Sequence, residues 1–134
     1  MPATAIVCLP IADRGTSYAF YGAGLGLTTP GERAEDGIPE PLQVDVGGLR
    51  VMLIPRGGFG WVVGGREVAE PGRPECLLSL AVDADAEVDA WVARAADAGA
   101  EIVAAPTARP WGYVGTFADP DGHLWQVTST PAPE

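Results

Sequence analysis

The sequence predicts an α+β fold in which two βαβββ modules form a curved mixed sheet. Three observations carry that prediction. First, the chain repeats. Leu9-Pro10-Ile11 recurs as Leu80-Ala81-Val82, Ala23-Gly24-Leu25-Gly26-Leu27 as Ala98-Gly99-Ala100-Glu101-Ile102, and the turn Gly47-Gly48 as Asp121-Gly122. The copies lie roughly 71 to 75 residues apart, and a drift of about four residues is one extra helical turn in the second copy. Second, each copy passes from a short apolar run into helical spacing and then into alternating runs. Third, each copy ends in a hairpin built on turn residues. These features set module 1 at 1–55, a linker or flap at 56–75 and module 2 at 76–130.

Taken in order, Ala3 to Leu9 is an apolar, β-compatible run. Asp13 offers an N-cap to a short helix through Thr16-Ser17-Tyr18-Ala19-Phe20-Tyr21, which Gly22, Gly24 and Gly26 end. Thr28 to Pro41 is polar, holds little to bury and reads as a loop with at most a frayed strand. Leu42 to Val46 alternates as a half-buried strand does, Gly47-Gly48 turns the chain, and Leu49 to Ile54 returns to Pro55. Arg56 to Glu75 is Gly-rich yet carries Phe59, Trp61, Val62 and Val63. Two readings stay open there: a linker whose apolar residues plug the core, or a mobile flap over a pocket.

Leu77 to Val82 is the next strand. Asp83 and Asp85 are cap candidates for a helix whose stripe is Val88, Trp91, Val92 and Ala95, closed by Gly99. Glu101 to Ala104 reads as a short strand and Pro106 to Tyr113 as a loop. The last hairpin joins Val114–Ala118 to Leu124–Thr128 through Asp119-Pro120-Asp121-Gly122, where Pro presets φ and Gly supplies positive φ. Trp125 and the Trp91 stripe read as core, and His123 as a turn residue.

Composition narrows the function classes. The 134 residues carry a formal net charge of −10. All eight cationic residues are scattered arginines, which argues against binding a nucleic-acid backbone. Such a balance favours cationic small molecules over anions at low ionic strength. Cys8 and Cys76 sit in no CxxC and near no His, so they read as small hydrophobes of a reducing compartment. No apolar run approaches a membrane span and no secretory leader is evident. The expectation is a cytoplasmic protein with no membrane partner.

Asp13 to Tyr21 followed by Gly24-Leu25-Gly26-Leu27, then Leu53-Ile54-Pro55-Arg56, Ala98-Gly99-Ala100-Glu101-Ile102 and, most specifically, Phe117 to Val127, resemble the vicinal oxygen chelate superfamily. That superfamily includes glyoxalase I, extradiol dioxygenases, fosfomycin-resistance enzymes and bleomycin-resistance proteins. The resemblance covers the chain except Thr28 to Pro41. It implies the glyoxalase/bleomycin-resistance fold, a sheet curled around a cavity, and a homodimer. It also implies metal-ligand positions early in each module's first strand and late in its last. Those positions fall on Ile6, Met52, Leu77 and Gln126, a set that is unsuited to a divalent cation.

Without that metal, the expected cofactor set is empty and the expected cavity is an apolar trough with a few polar groups. Alternation puts Leu124, Gln126 and Thr128 on one face, and Arg50, Met52 and Ile54 on another with Ile6 and Cys8. Trp111 and Tyr113 suit stacking on a planar ligand, unless one of them plugs the core. Phe59 and Trp61 would close over it. The candidate ligand-binding set is therefore Arg50, Met52, Phe59, Trp61, Trp111, Tyr113 and Gln126. No catalytic residue is assigned. The function this favours is a metal-independent protein that binds, or sequesters, an antibiotic or aromatic metabolite, with a cationic one favoured by the net charge of −10. The alternative is a lyase- or isomerase-like enzyme of the same fold, with Asp45, Glu67, Glu70, Glu101 or His123 as base. A third is a degenerate module acting through protein contacts.

Overall fold

A computed structural model describes residues 2–129. The chain divides into two compact units, Met1–Glu70 and Pro71–Glu134. The first unit runs β1 (Ile6–Ile11), α1 (Arg14–Tyr18) continued by a π-helical turn (Ala19–Gly24), β2 (Leu42–Val46), β3 (Leu49–Pro55) and α2 (Arg56–Val62). The second runs β4 (Leu77–Val82), α3 (Asp85–Asp97), β5 (Glu101–Arg109), β6 (Gly112–Ala118) and β7 (Leu124–Ser129). The strands hydrogen-bond as two mixed sheets, ordered β1-β3-β2 and β4-β7-β6-β5. In each sheet the first and last strands of the module pair in parallel, and the hairpin partners pair antiparallel.

The modules are alike in plan and unequal in execution. Module 2 is a full βαβββ unit. In module 1 the stretch between helix and hairpin is a loop that bridges to β2 at Thr28, opposite Asp45; the Asp45 N–H donates to the Thr28 carbonyl at 3.0 Å. The loop is held by Arg14. Its guanidinium pairs with Asp36 at 2.8 Å and Glu40 at 3.0 Å, and donates to the carbonyls of Ile38 and Pro39. Pro39 is fully buried, so this segment contributes more to the core than its composition suggests.

Local chemistry explains the elements. Asp13 caps α1, accepting from the Thr16 N–H and hydroxyl at 2.8 Å each. Phe20 and Tyr21 meet edge to face, ring centroids 4.9 Å apart. They are buried with Leu9, Ile11, Val51 and Leu53. In α3, Val88, Val92 and Ala95 are buried, and the helix ends where the Ala100 N–H reaches the Ala95 carbonyl at 2.9 Å, with Gly99 at positive φ. The N-cap position is Ala84, which offers no side-chain bond; Asp85 and Glu87 instead lie in the first turn, where the helix dipole favours negative charge.

Trp91, read as core, is only half-buried, and the first helix runs on through Gly22 to Gly24. Two longer segments also differ from the sequence reading. The Gly-rich run after Pro55 begins as a helix, α2. It forms because Pro55 starts it, Arg56 ties back to the carbonyls of Val68 and Ala69, and Gly64 and Gly65 turn at positive φ after it. The segment read as a loop from Pro106 to Tyr113 is the second half of β5, the hairpin tip Pro110-Trp111 and the start of β6. Pro106 is tolerated there because β5 is an edge strand and its pairing shifts register between Ala104 and Thr107.

Candidate functional site

Strand alternation sorts each sheet into two faces, and burial shows which one a helix covers. In the second unit, Leu78, Phe117, Trp125 and Val127 are buried on the α3 side. Gly115 belongs to that side as well: a Cβ there would lie 2.7 Å from the Val92 side chain, so helix and sheet meet at a residue with no side chain. The far face therefore carries the alternate residues. Register places Ser79, Gln126 and Thr116 side by side across β4, β7 and β6. The next row is Ala81, Thr128 and Val114, and the row before is Leu77, Leu124 and Ala118.

Gln126 is half-buried, and its amide nitrogen donates to the Ser79 hydroxyl at 3.1 Å. A serine hydroxyl both donates and accepts, so it can hold either end of the amide. Thr128 is 8% exposed, and its hydroxyl has no hydrogen-bond partner among the described residues.

In the first unit, β1, β3 and β2 give the corresponding face. Cys8, Met52 and Gln43 form one row; Ile6, Arg50 and Asp45 form another. Met52 is half-buried and Cys8 exposed. Arg50 grips Asp45 with two parallel bonds, Nε to Oδ1 at 2.8 Å and Nη2 to Oδ2 at 3.2 Å. Each holds the other charged: the guanidinium lowers the Asp45 carboxyl below the usual range, and the carboxylate raises Arg50. The pair is self-neutralised, so Arg50 does not stand as a free cation.

The remaining candidates separate. Phe59 is half-buried on α2, whereas Trp61 on the same helix is 83% exposed. Trp111, at the tip of the β5–β6 hairpin, is 61% exposed. Tyr113 lies on the α3 side of β6, the opposite side of the sheet from Gln126. Its hydroxyl donates to Asp89 of α3 at 2.7 Å, which raises the phenol's pKa above its ordinary value. Thus the structure brings Arg50 and Met52 onto one face and sets Gln126 and Tyr113 on opposite faces.

Ser79 and Thr116 were not singled out by sequence. The signal that finds Ser79 is register, since a parallel β4–β7 pair sets Leu77 opposite Leu124 and hence Ser79 opposite Gln126.

The hairpin that leads into Gln126 is built as its residues suggest. Asp119 accepts from the N–H groups of Asp121 and His123, and the Gly122 N–H donates to the Asp119 carbonyl at 2.9 Å. Gly122 has φ +83, and a Cβ on it would lie 2.8 Å from the Gly72 nitrogen. Both conformation and space require glycine there.

Residues 5–127 match the family described as the Glyoxalase/Bleomycin resistance protein/Dioxygenase superfamily. The chain belongs to this superfamily. Similar solved structures within the fold include hypothetical protein SA1046 from S. aureus, at 28% identity and TM-score 0.80, covering 96% of this chain and 95% of that one. A glyoxalase-related enzyme from Fulvimarina pelagi matches at 27% identity and TM-score 0.81, over 98% of this chain and 90% of that one. TnmS3, an antibiotic binding protein from Streptomyces sp. CB03234, matches at 23% identity and TM-score 0.67, over 98% of each chain. No curated protein sequence matches the chain.

At the positions where the superfamily resemblance sets metal ligands, this member carries Ile6 and Met52 in the first unit and Leu77 and Gln126 in the second. Ile6 and Leu77 are 42% and 49% exposed. Among the described residues, no three His, Cys, Asp or Glu side chains converge. None of the helices described is long and apolar enough to cross a membrane.

Proposed function

We propose that this superfamily member is a metal-independent small-molecule-binding protein that sequesters an antibiotic or an aromatic metabolite. The observation that carries the reading is the far face of the second unit. It is apolar along Leu77, Leu124 and Ala118, and carries a neutral polar row, Ser79–Gln126–Thr116, with Gln126 at the place where a metal-using relative needs a carboxylate. Small-molecule surfaces have this make-up, mostly apolar with a few placed polar groups. TnmS3, a binding protein of the same fold, supplies a precedent for the class.

The ligand positions do not fit a divalent cation. Ile6 and Leu77 offer no donor atom. Met52 offers a soft thioether, and Gln126 a neutral amide oxygen, a weak donor to a hard cation, on a side chain whose nitrogen already donates to Ser79. In the first unit the only charged groups in the register rows around Met52 are Arg50 and Asp45, which are spent on each other.

Each unit offers its own contacts. In the second, Gln126 and Ser79 would orient a polar edge of a ligand, and the exposed Trp111 is available to stack on an aromatic ring. In the first, Met52 offers a polarizable, conformationally adaptable contact, and α2 carries the exposed Trp61 and the half-buried Phe59. The charge of −10 accelerates the approach of cationic compounds without contributing a contact.

A metal-free lyase or isomerase of this fold would need a poised base. Asp45 is a poor one, because Arg50 lowers its proton affinity; Glu70 lies 4.0 Å from Arg56 in an exposed pair, and Glu101 is exposed on an edge strand. Fluorescence titration with bleomycin and a panel of aromatic antibiotics tests the binding reading. Saturable quenching of Trp61 and Trp111 is the expected result, and silence across the panel contradicts it.

A further inference from the structure

Resting on the small-molecule reading, we propose that Thr128 is a specificity-determining hydroxyl, and that the far face of the second unit takes a neutral ring compound through its hydroxyl or carbonyl group. Thr128 is more than nine-tenths buried, with Oγ1 out of solvent and without a protein partner among the described residues. Its neighbours in register, Ala81 and Val114, have only aliphatic side chains. Two residues back on the same strand and face, Gln126 is engaged with Ser79. A hydroxyl carries one donor and two acceptor sites, and burying it with none of them used is unfavourable. Native proteins satisfy nearly all such groups. A ligand hydroxyl or carbonyl laid along β7 would satisfy Thr128 and, next to it, the Gln126 amide.

The same rows say what the face rejects. The three rows across β4, β7 and β6 contain no charged residue. The charges brought nearest by register lie on the exposed edge strand: Arg109 opposite Gly112, one row beyond Val114, and Glu101 opposite Ala118. A carboxylate or phosphate placed against Thr128 would lose its hydration with no counter-charge within these rows to replace it, Arg109 standing two strands away on the exposed edge. The net charge of −10 adds a long-range penalty for anions. Recognition at Thr128 is therefore by neutral hydrogen bonds, whatever charge a ligand carries elsewhere.

The test couples the ligand's hydroxyl to the protein's. NMR-detected titrations with 2-naphthol, naphthalene and 2-naphthoate are run on the wild-type chain, Thr128→Val and Thr128→Ser. The wild type is expected to take 2-naphthol in preference to the other two. Thr128→Val is expected to weaken 2-naphthol by roughly five- to tenfold, the worth of one net hydrogen bond, and to leave naphthalene unchanged. Thr128→Ser, which keeps the hydroxyl, retains the preference. The Tm of Thr128→Val should be no lower than that of the wild type, since the free protein gives the hydroxyl nothing to bond.

Equal weakening of 2-naphthol and naphthalene, or weakening of neither, overturns the proposal. So does 2-naphthoate binding as tightly as 2-naphthol, or a Tm lowered in Thr128→Val and restored in Thr128→Ser. If no naphthalene probe binds but bleomycin does, this proposal falls and the binding function stands. Silence from both sinks the two together.

Discussion

The two units are built on one plan and held together by different chemistry. The first is laced with charge. Arg14 gathers Asp36, Glu40 and two carbonyls around the loop from Thr28 to Pro41, Arg50 grips Asp45, and Asp13 caps α1. The second relies on neutral donors around its last hairpin: Tyr113 donates to Asp89, the Ser129 hydroxyl to Asp85, and Gln126 to Ser79. The unit missing a regular fourth strand is the one with the ionic lacing. Where a ladder would have satisfied the backbone, Arg14 does so instead, bonding the carbonyls of Ile38 and Pro39. The unit with a complete sheet carries a neutral polar row, Ser79–Gln126–Thr116, on its far face.

The largest effect that bears on this contrast is in the two exposed and buried tryptophans. Trp125 is 2% exposed and sits on the α3 side of β7. Trp125→Ala should cost about 3–5 kcal/mol in urea denaturation. Trp61→Ala, on α2, should stay within roughly 0.5 kcal/mol, because the side chain is already in solvent. Equal losses would mean that α2 is packed where the structure shows it bare.

Next in size is the turn that leads to Gln126. Gly122→Ala forces a side chain into positive φ and onto the Gly72 backbone. It should destabilise by about 1–3 kcal/mol. The same change at Gly47, which also has positive φ but open space around it, should cost less. Equal costs would show that backbone conformation, not crowding, dominates at both turns. Smaller again is Asp13→Ala, which should remove about 1 kcal/mol, the usual worth of an N-cap.

The pH response should split the units. Asp13, Asp36 and Asp45 are each held below the usual carboxylate range: by the Thr16 N–H for Asp13, the Ile38 N–H for Asp36 and the Arg50 guanidinium for Asp45. A lowered folded pKa means that the folded state prefers the carboxylate. Their contribution is complete above the unfolded carboxylate pKa and is lost as pH falls through the folded values. Tyr113 is raised, chiefly by its bond to Asp89, so the folded state prefers the neutral phenol. Its contribution is complete below about pH 10 and is lost as pH rises through the folded value. Amide spectra followed across pH should show the first unit perturbed in acid and the second in alkali, and Tyr113→Phe should flatten the alkaline response. The effects are small because these groups are solvent-accessible.

The faces of the strands were readable in the sequence because period-two alternation is fixed by the backbone. Trp125 and Val127 against α3 follow from it, as does Gln126 facing away. The Asp119 turn was readable because each residue in it has a defined backbone role.

What was hidden depends on partners distant in sequence. α2 was obscured by three glycines, which lower helix propensity, while the Arg56 ties that fix it reach Val68 and Ala69. β5 was obscured by Pro106, which is acceptable only on an edge strand. Tyr113 looked like a ligand contact because its strand seemed to begin one residue later. With β6 starting at Gly112, its phase turns it toward Asp89. The pairing of Gln126 with Ser79 required register, which no local pattern supplies.

The most direct measurement is a bleomycin titration followed by tryptophan fluorescence, on protein before and after exhaustive chelation. Metal-independent binding predicts saturable quenching with the same affinity in both samples, and no change when Mn²⁺ or Zn²⁺ is added back. Quenching that disappears on chelation and returns with one equivalent of metal would contradict the account.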